Sequence, residues 1–267
     1  MIGKNLLKRI ERHMVRAPAI SCFILFFLIA VGTTTPGQGE EKSFFLGFRQ
    51  GTDSESIPEG WALISYAGTG GNQMFILKEN NRTVLHVKSL GSASGVLKNV
   101  EVDLKEFPIL VWRWKINRVV GMAIERQKDR NDSAARIRVI FGKRGKNRRE
   151  KPPPVSPQIE EFLKTLGIKQ TAREPVGFKI DYIWGNRIDP GEVLDFPGSR
   201  NHKIVVVESG KAKANQWIWE KRNLVEDFEL LFEAEPPGLS GIVILTDTDQ
   251  TNEGVEAWYS SIVLMTE

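Results

Sequence analysis

The stretch Ile109-Leu-Val-Trp-Arg-Trp-Lys-Ile116 decides the fold class of this chain. Side chains of an extended strand alternate between its two faces. One face here carries Leu110, Trp112, Trp114 and Ile116, and the other carries Val111, Arg113 and Lys115. Large apolar residues at every second position are typical of a strand that packs one face onto a core. The stretch therefore predicts a β-strand with one buried face and one polar face.

Short apolar runs of this kind, separated by turn signals, recur along most of the chain. They predict ten strands: Trp61–Tyr66, Met74–Lys78, Val84–Ser89, Val96–Val102, Ile109–Ile116, Ala135–Phe141, Phe178–Trp184, Lys203–Glu208, Gly241–Leu245 and Ala257–Leu264. Apolar residues recur with helical spacing in Asn223–Phe232, which predicts a helix there. Pro157–Leu166 is a candidate for a second short helix. The pattern predicts an all-β protein with one short amphipathic helix.

The charge of the chain is concentrated at its N-terminus. Of 267 residues, 37 are basic and 33 acidic, which gives a formal net charge of +4. Five of the basic residues and one acidic residue lie in 1–32, which leaves 32 of each in the remainder. Because the body is neutral overall, the basic balance does not indicate a nucleic-acid partner.

Residues 1–32 have the pattern of an export signal. A basic segment precedes an apolar run of about 15 residues, shorter than the roughly 20 that span a bilayer. We predict that 1–32 is a cleaved signal peptide or, alternatively, a retained anchor that is the only contact with the membrane. A linker at 33–43 and a single domain at 44–267 follow. Both alternatives give an extracytoplasmic domain, periplasmic, secreted or held at the inner membrane. Cys22, the only cysteine, lies within the signal.

Residues 142–176 interrupt the strand series and are interpreted as a surface insertion. Six of the nine residues 143–151 are basic, and three prolines follow. One interpretation of this run is a binding segment for anionic polysaccharide or lipid head groups. The other is a solvated loop without a partner. Export argues against nucleic acid as its partner.

Seven motifs in a fixed order resemble the DUF3047 family of exported bacterial proteins, over roughly 44–265. They are Ile57–Trp61, Pro108–Lys115, Asn131–Phe141, Tyr182–Gly185, Val205–Gly210, Arg222–Phe228 and Pro236–Asp249. The resemblance implies a jelly-roll-type β-sandwich similar to carbohydrate-binding modules. It implies no catalytic residues, because the family name records an unknown function.

Three predicted strands carry a dense set of charges on their polar faces. If they are neighbours, one sheet face holds Arg113, Lys115, Arg136, Arg138, Lys179 and Asp181. Guanidinium forks on such a face can bind the carboxylates or hydroxyls of a ligand. The alternative is a solvated outer face with cross-strand pairs.

Six of the seven tryptophans fall into two groups. Trp61, Trp112 and Trp114 are interpreted as core. Trp184, beside Gly185, is a candidate ligand contact, and Trp217 and Trp219 share a face and form a second candidate pair. An exposed indole offers an apolar ring to a sugar and an N–H at its edge.

Asp247 and Asp249, two residues apart at a strand end, are candidate calcium ligands. They are also common turn residues, and a catalytic carboxylate is a third alternative. Asp132 lies in a comparable loop and is a candidate partner of an arginine on the polar face. His86 is predicted to pack inside the sandwich, and two isolated histidines (His86 and His202) make a zinc site or catalytic triad a poor fit.

The leading hypothesis is an exported binding β-sandwich for carbohydrate or another polar ligand of the cell envelope, without a cofactor except for a structural calcium ion. One alternative is a glycoside hydrolase or polysaccharide lyase using Asp181, Asp247 or Asp249. The other is a structural envelope protein that binds a protein partner through the basic loop.

Overall fold

A computed structural model describes residues 42–48, 54–66, 69–142, 155–165, 167 and 171–266. These residues contain fourteen strands and two helices. The strands are β1 (Ser43–Phe45), β2 (Ser54–Glu55), β3 (Ala62–Ser65), β4 (Gln73–Glu79), β5 (Arg82–Leu90), β6 (Ala93–Asn99), β7 (Ile109–Ile116), β8 (Ser133–Phe141), β9 (Phe178–Gly185), β10 (Val193–Asp195), β11 (His202–Ser209), β12 (Ile218–Asn223), β13 (Leu239–Asp247) and β14 (Gly254–Met265). The helices are α1 (Pro157–Thr165) and α2 (Leu224–Phe232).

The strands form two seven-stranded sheets. Sheet A has the order β12-β7-β14-β5-β4-β2, with β1 paired to β14. Sheet B has the order β10-β11-β9-β8-β13-β6-β3. Neighbouring strands are antiparallel except for the parallel pair β11–β9. The prediction of an all-β, jelly-roll-type β-sandwich is confirmed.

Aromatic side chains from both sheets meet in the core between them. Trp112 of β7 lies 5.5 Å from Tyr182 of β9, and Trp114 lies 6.0 Å from Trp184, measured between ring centroids. Trp61, Trp112 and Trp114 are buried as predicted. Trp184 is buried too, and its Nε1 donates a hydrogen bond to the Gly210 carbonyl at 3.0 Å. The prediction that Trp184 contacts a ligand is therefore wrong, because its strand directs the ring into the core.

All ten predicted strands are present, with ends displaced by no more than three residues. The sequence patterns missed β1, β2, β10 and β12, which are short or have few apolar residues. Helix α2 begins where predicted, since the Asn223 side chain accepts hydrogen bonds from the Val225 and Glu226 amides. Helix α1 corresponds to the allowed helix in the insertion, and buries Ile159 and Leu163.

Two predicted segments lie outside the described residues: the export signal at 1–32 and the basic run at 143–151. Both stay predictions. In the described part of the chain, neither helix, at nine residues each, could span a bilayer.

Candidate functional site

The predicted polar face is divided between the two sheets. β8 pairs with β9, so Arg138 lies opposite Asp181. β7 instead pairs with β12 and β14 in sheet A. The assumption that the three strands adjoin is therefore wrong, because side-chain alternation identifies a face but not the neighbour of a strand. Arg113 and Lys115 lie on the outer face of sheet A, and the remaining charges lie on the outer face of sheet B.

On sheet B, two arginines are bound to one buried carboxylate. Asp181 accepts hydrogen bonds from Arg136 Nη1 at 2.9 Å, and from Arg138 Nε at 2.7 Å and Nη2 at 2.8 Å. Burial opposes ionisation of Asp181, but the Arg138 guanidinium outweighs it and holds the pKa of this carboxyl well below its usual range. All three side chains are buried. Their geometry assigns them a structural role, contrary to the predicted ligand-binding role.

The surroundings of this ion-pair network are also closed. Glu174 accepts from Arg138 Nη1 at 2.6 Å and from the Tyr66 hydroxyl at 2.7 Å, and it pairs with Lys179. Two buried apolar clusters flank the network: Ile64, Leu97, Ile140, Val243 and Leu245 on one side, and Ile183, Leu194, Ile204 and Val206 on the other. The cations Arg136, Arg138 and Lys179 of sheet B thus have partners within the protein.

The outer face of sheet A has a different composition. Phe75 of β4 lies opposite His86 of β5, His86 opposite Trp258 of β14, and Trp258 opposite Lys115 of β7. Trp217 precedes β12 beside Lys115, and Trp219 lies opposite Arg113. We call this set the sheet A platform: Phe75, His86, Trp258, Lys115, Trp217, Arg113 and Trp219.

Rings and cations contact one another along the platform. The rings of His86 and Trp258 stack at 4.5 Å with an interplanar angle of 6°. Lys115 Nζ lies 4.6 Å from the Trp258 ring centroid and 5.0 Å from that of Trp217. Each such cation–π contact contributes about 0.5–1 kcal/mol at an exposed site. The contacts hold the rings in place before any ligand arrives, and Trp219 keeps 53% of its surface exposed.

Carboxylates border the platform. Glu79 Oε1 accepts hydrogen bonds from Lys115 Nζ at 3.1 Å and from Trp217 Nε1 at 3.3 Å. Glu256 Oε2 lies 2.7 Å from His86 Nε2. Burial lowers the pKa of His86, although the Glu256 hydrogen bond opposes this. The platform therefore combines aromatic rings with fixed hydrogen-bonding groups.

Sequence reasoning missed part of this set. The prediction that His86 packs inside the sandwich is wrong, because Leu85 and Val87 face the core and His86 faces outward. Phe75 and Trp258 were not singled out. The alternation of Ala257, Trp258 and Tyr259 could have placed Trp258 on the outer face, since Ala257 and Tyr259 are core residues.

The predicted calcium ligands Asp247 and Asp249 come together with Asp132. One carboxylate oxygen from each lies within 4.8 Å of the other two. Asp132 accepts from the Thr251 amide at 2.8 Å and its hydroxyl at 2.6 Å, which replaces the predicted arginine partner. Arg136 Nη2 lies 3.8 Å from Asp247. Three carboxylates suit a hard cation, and calcium at this position stays a prediction.

A further ionisable group lies at the edge between the sheets. Trp114 Nε1 donates to Glu220 Oε1 at 3.2 Å. Burial, followed by the negative charge of Glu208, raises the pKa of Glu220 to about 8. The sequence could not identify this residue, because the missed strand β12 directs it inward.

The chain belongs to the DUF3047 family, described as a protein family of unknown function, with residues 59–263 matched. Among curated proteins, none matches this sequence significantly. The family therefore supplies no activity.

Several solved structures are similar over most of the chain at low identity. Endoglucanase 3 of Trichoderma harzianum, from family GH12, is 7% identical with a TM-score of 0.39, covering 86% of this chain and 99% of that one. A family 12 xyloglucanase from Bacillus licheniformis is 7% identical with a TM-score of 0.38, covering 85% and 99%. A family 29 carbohydrate-binding module, a mutant complexed with cellulohexaose, is 6% identical with a TM-score of 0.33, covering 85% and 92%.

Proposed function

We propose that this protein binds a glycan on the sheet A platform. The observation that carries the proposal is the register of aromatic and cationic side chains across adjacent strands, from Phe75 through Trp258 to Trp217. A cross-strand row of this kind is a continuous surface rather than a scatter of exposed rings.

The chemistry of the platform suits a sugar. The C–H face of a pyranose packs against an aromatic ring, and its hydroxyls need donors and acceptors at the ring edge. Glu79 and Glu256 supply acceptors, and Lys115 supplies a donor. These groups are already positioned by contacts within the protein, which reduces the entropic cost of binding.

The dimensions favour an oligomer. The row occupies five successive positions across the sheet, and at about 4.8 Å between strands it extends roughly 19 Å. A ligand that contacts the whole row is therefore an extended oligosaccharide lying across the strands. The predicted export signal would place the domain where glycans of the cell envelope occur.

Binding accounts for the platform better than hydrolysis does. Glycoside hydrolysis needs one carboxyl group to donate a proton and another to act as base or nucleophile. Glu79 is held by Lys115 and Glu256 by His86, so both serve to fix platform side chains. Asp181, an earlier catalytic candidate, is saturated by two arginines.

A glycan array probed with the full chain tests the proposal. We expect binding to a subset of oligosaccharides, with Trp219→Ala losing roughly tenfold or more in affinity, because Trp219 is the most exposed ring of the platform and tryptophans often dominate binding energy. Phe44→Ala is the matched control, because Phe44 is also exposed on sheet A but pairs with Leu264, six residues or about 20 Å along β14 from Trp258. No binding to any glycan, or equal loss in both variants, would overturn the proposal.

A further inference from the structure

Arg113 occupies an unusual position on the platform. Its guanidinium carbon lies 4.0 Å from the ring centroid of Trp217 and 5.5 Å from that of Trp219. A guanidinium lies flat against aromatic rings more readily than an ammonium does. The two indoles thus fix the position of this cation at the end of the platform where the exposed Trp219 ring lies.

Arg113 also differs from the other well-placed cations in having no anionic partner. Lys115 pairs with Glu79, and Arg136 and Arg138 pair with Asp181. Within the part of the chain that the structure describes, Arg113 has no carboxylate within 4.0 Å and its buried Nε has no hydrogen-bond acceptor. An unsatisfied buried donor costs about 1–3 kcal/mol, more when it is charged.

A ligand can supply the missing acceptor. The planar fork of a guanidinium matches the two oxygens of a carboxylate and binds them through parallel hydrogen bonds. Neutral hydroxyls satisfy single donors but leave the charge uncompensated. Because adjacent indoles displace water from the guanidinium, its attraction to an anion is stronger than at an open surface.

From these observations we infer that the platform recognises an acidic glycan, and that Arg113 binds the carboxylate of a uronic acid unit. This inference rests on the proposed glycan-binding function and names its ligand class. Trp217 and Trp219 pack against the sugar rings, while Arg113 selects the carboxylate. Arg113 is thus the residue that determines specificity, and the aromatic rings supply affinity shared by charged and neutral sugars.

The test uses polymers that differ only in their carboxyl groups. Polygalacturonate and alginate oligomers are each compared with their carboxyl-reduced counterparts by isothermal titration with the full chain. We expect at least one acidic form to bind tenfold or more tightly than its reduced form. Arg113→Gln should abolish that preference while keeping weak binding to both forms, and Arg113→Lys should restore it only in part, since it keeps the charge but loses the fork.

Two further variants separate this inference from general electrostatics and from the proposed function. Lys221→Gln removes the same charge from an exposed residue of β12 on the same face, and should change the preference by less than threefold. Trp219→Ala should weaken the binding of both forms and keep most of the preference, because the nearer ring of Trp217, 4.0 Å away, still holds Arg113. Equal wild-type affinity for acidic and reduced forms, or a preference that survives Arg113→Gln, would overturn the uronate inference and leave glycan binding intact. Binding to no glycan in either form would overturn both.

Discussion

The outer faces of the two sheets both carry cations but use them differently. On sheet B, Arg136 and Arg138 are buried around Asp181 between apolar clusters. On sheet A, Arg113 and Lys115 lie against tryptophan rings, and Arg113 has no carboxylate partner among the described residues. The charge on a sheet face therefore does not by itself identify a binding surface. What identifies it is whether the protein itself satisfies that charge.

The largest effect is expected from breaking the sheet B network. Asp181→Asn keeps the side-chain volume but removes the carboxylate that two buried guanidinium groups share, and breaking a buried ion pair in this way typically costs about 3–5 kcal/mol. Among the residues that the structure describes, Arg138 then keeps only Glu174 as an anionic partner, and Arg136 keeps only Asp247 at 3.8 Å. We expect a loss of this size in the free energy of unfolding, measured by urea denaturation.

Asp195→Asn is the control for Asp181→Asn. Its carboxylate pairs with Lys203 but its side chain is 75% exposed, so the change should cost about 0–1 kcal/mol. If Asp181→Asn costs no more than Asp195→Asn, the assignment of sheet B as a structural face is wrong.

Glu220 tests the region between the two faces. Its folded-state pKa of about 8 lies above the ordinary value of 4.5, so the folded protein holds a proton that the unfolded chain releases. The contribution of this protonation to the free energy of unfolding is fully present below about pH 4.5, and it is lost as the pH rises through 8.

Glu220→Gln removes this titration while keeping a group that accepts from Trp114. At pH 8.5 we expect the variant to exceed wild type in unfolding free energy by more than about 1.4 kcal/mol, the equivalent of a tenfold change in proton affinity. The comparison is made by denaturation at pH 5 and pH 8.5. A pH-independent difference between variant and wild type would contradict the account of this carboxyl group.

A smaller effect concerns the acidic cluster beside Arg136. If Asp132, Asp247 and Asp249 bind calcium, millimolar Ca²⁺ should raise the melting temperature by a few degrees, because binding to the folded state stabilises it by roughly 1–3 kcal/mol. The double variant Asp247→Asn/Asp249→Asn should lose the response. A wild-type melting curve that is unchanged by calcium but normal in shape would rule out the calcium prediction.

The smallest effect on stability is expected on sheet A. Glu79→Gln removes the charge that pairs with Lys115 but keeps an acceptor for Trp217, and such partly exposed pairs contribute about 0–1 kcal/mol. We expect little change in unfolding free energy and a severalfold loss of affinity for whichever glycan binds wild type. A stability loss as large as that of Asp181→Asn would mean that the charges on sheet A have a structural role, as those on sheet B do.

The sequence predicted what is local and missed what depends on long-range pairing. Alternation in Ile109–Ile116 placed Trp112 and Trp114 in the core and Arg113 and Lys115 outside, as observed. It could not show that β7 pairs with β14, about 140 residues later in the chain. That pairing separates Arg113 from Arg136 and brings Lys115 to Trp258.

Irregularities within strands limit such predictions further. In β14 the register shifts between Ser260 and Val263, and Ser261 has a positive φ of 52°. Counting by twos from Trp258 would place Ile262 on the outer face, but Ile262 is buried in the core. The bulge adds a residue to one strand and reverses the alternation after it, so the extent of the platform along β14 could be known only from the structure.

Glycan binding on sheet A is tested by the affinity of the best-bound glycan for wild type and for Trp217→Ala/Trp219→Ala, measured by isothermal titration alongside urea denaturation. If the sheet A platform is the binding surface, the double variant should lose at least tenfold in affinity while its unfolding free energy changes by no more than about 1–2 kcal/mol, as for half-exposed rings. Unchanged affinity in a folded double variant would contradict the claim and place the ligand elsewhere on the protein.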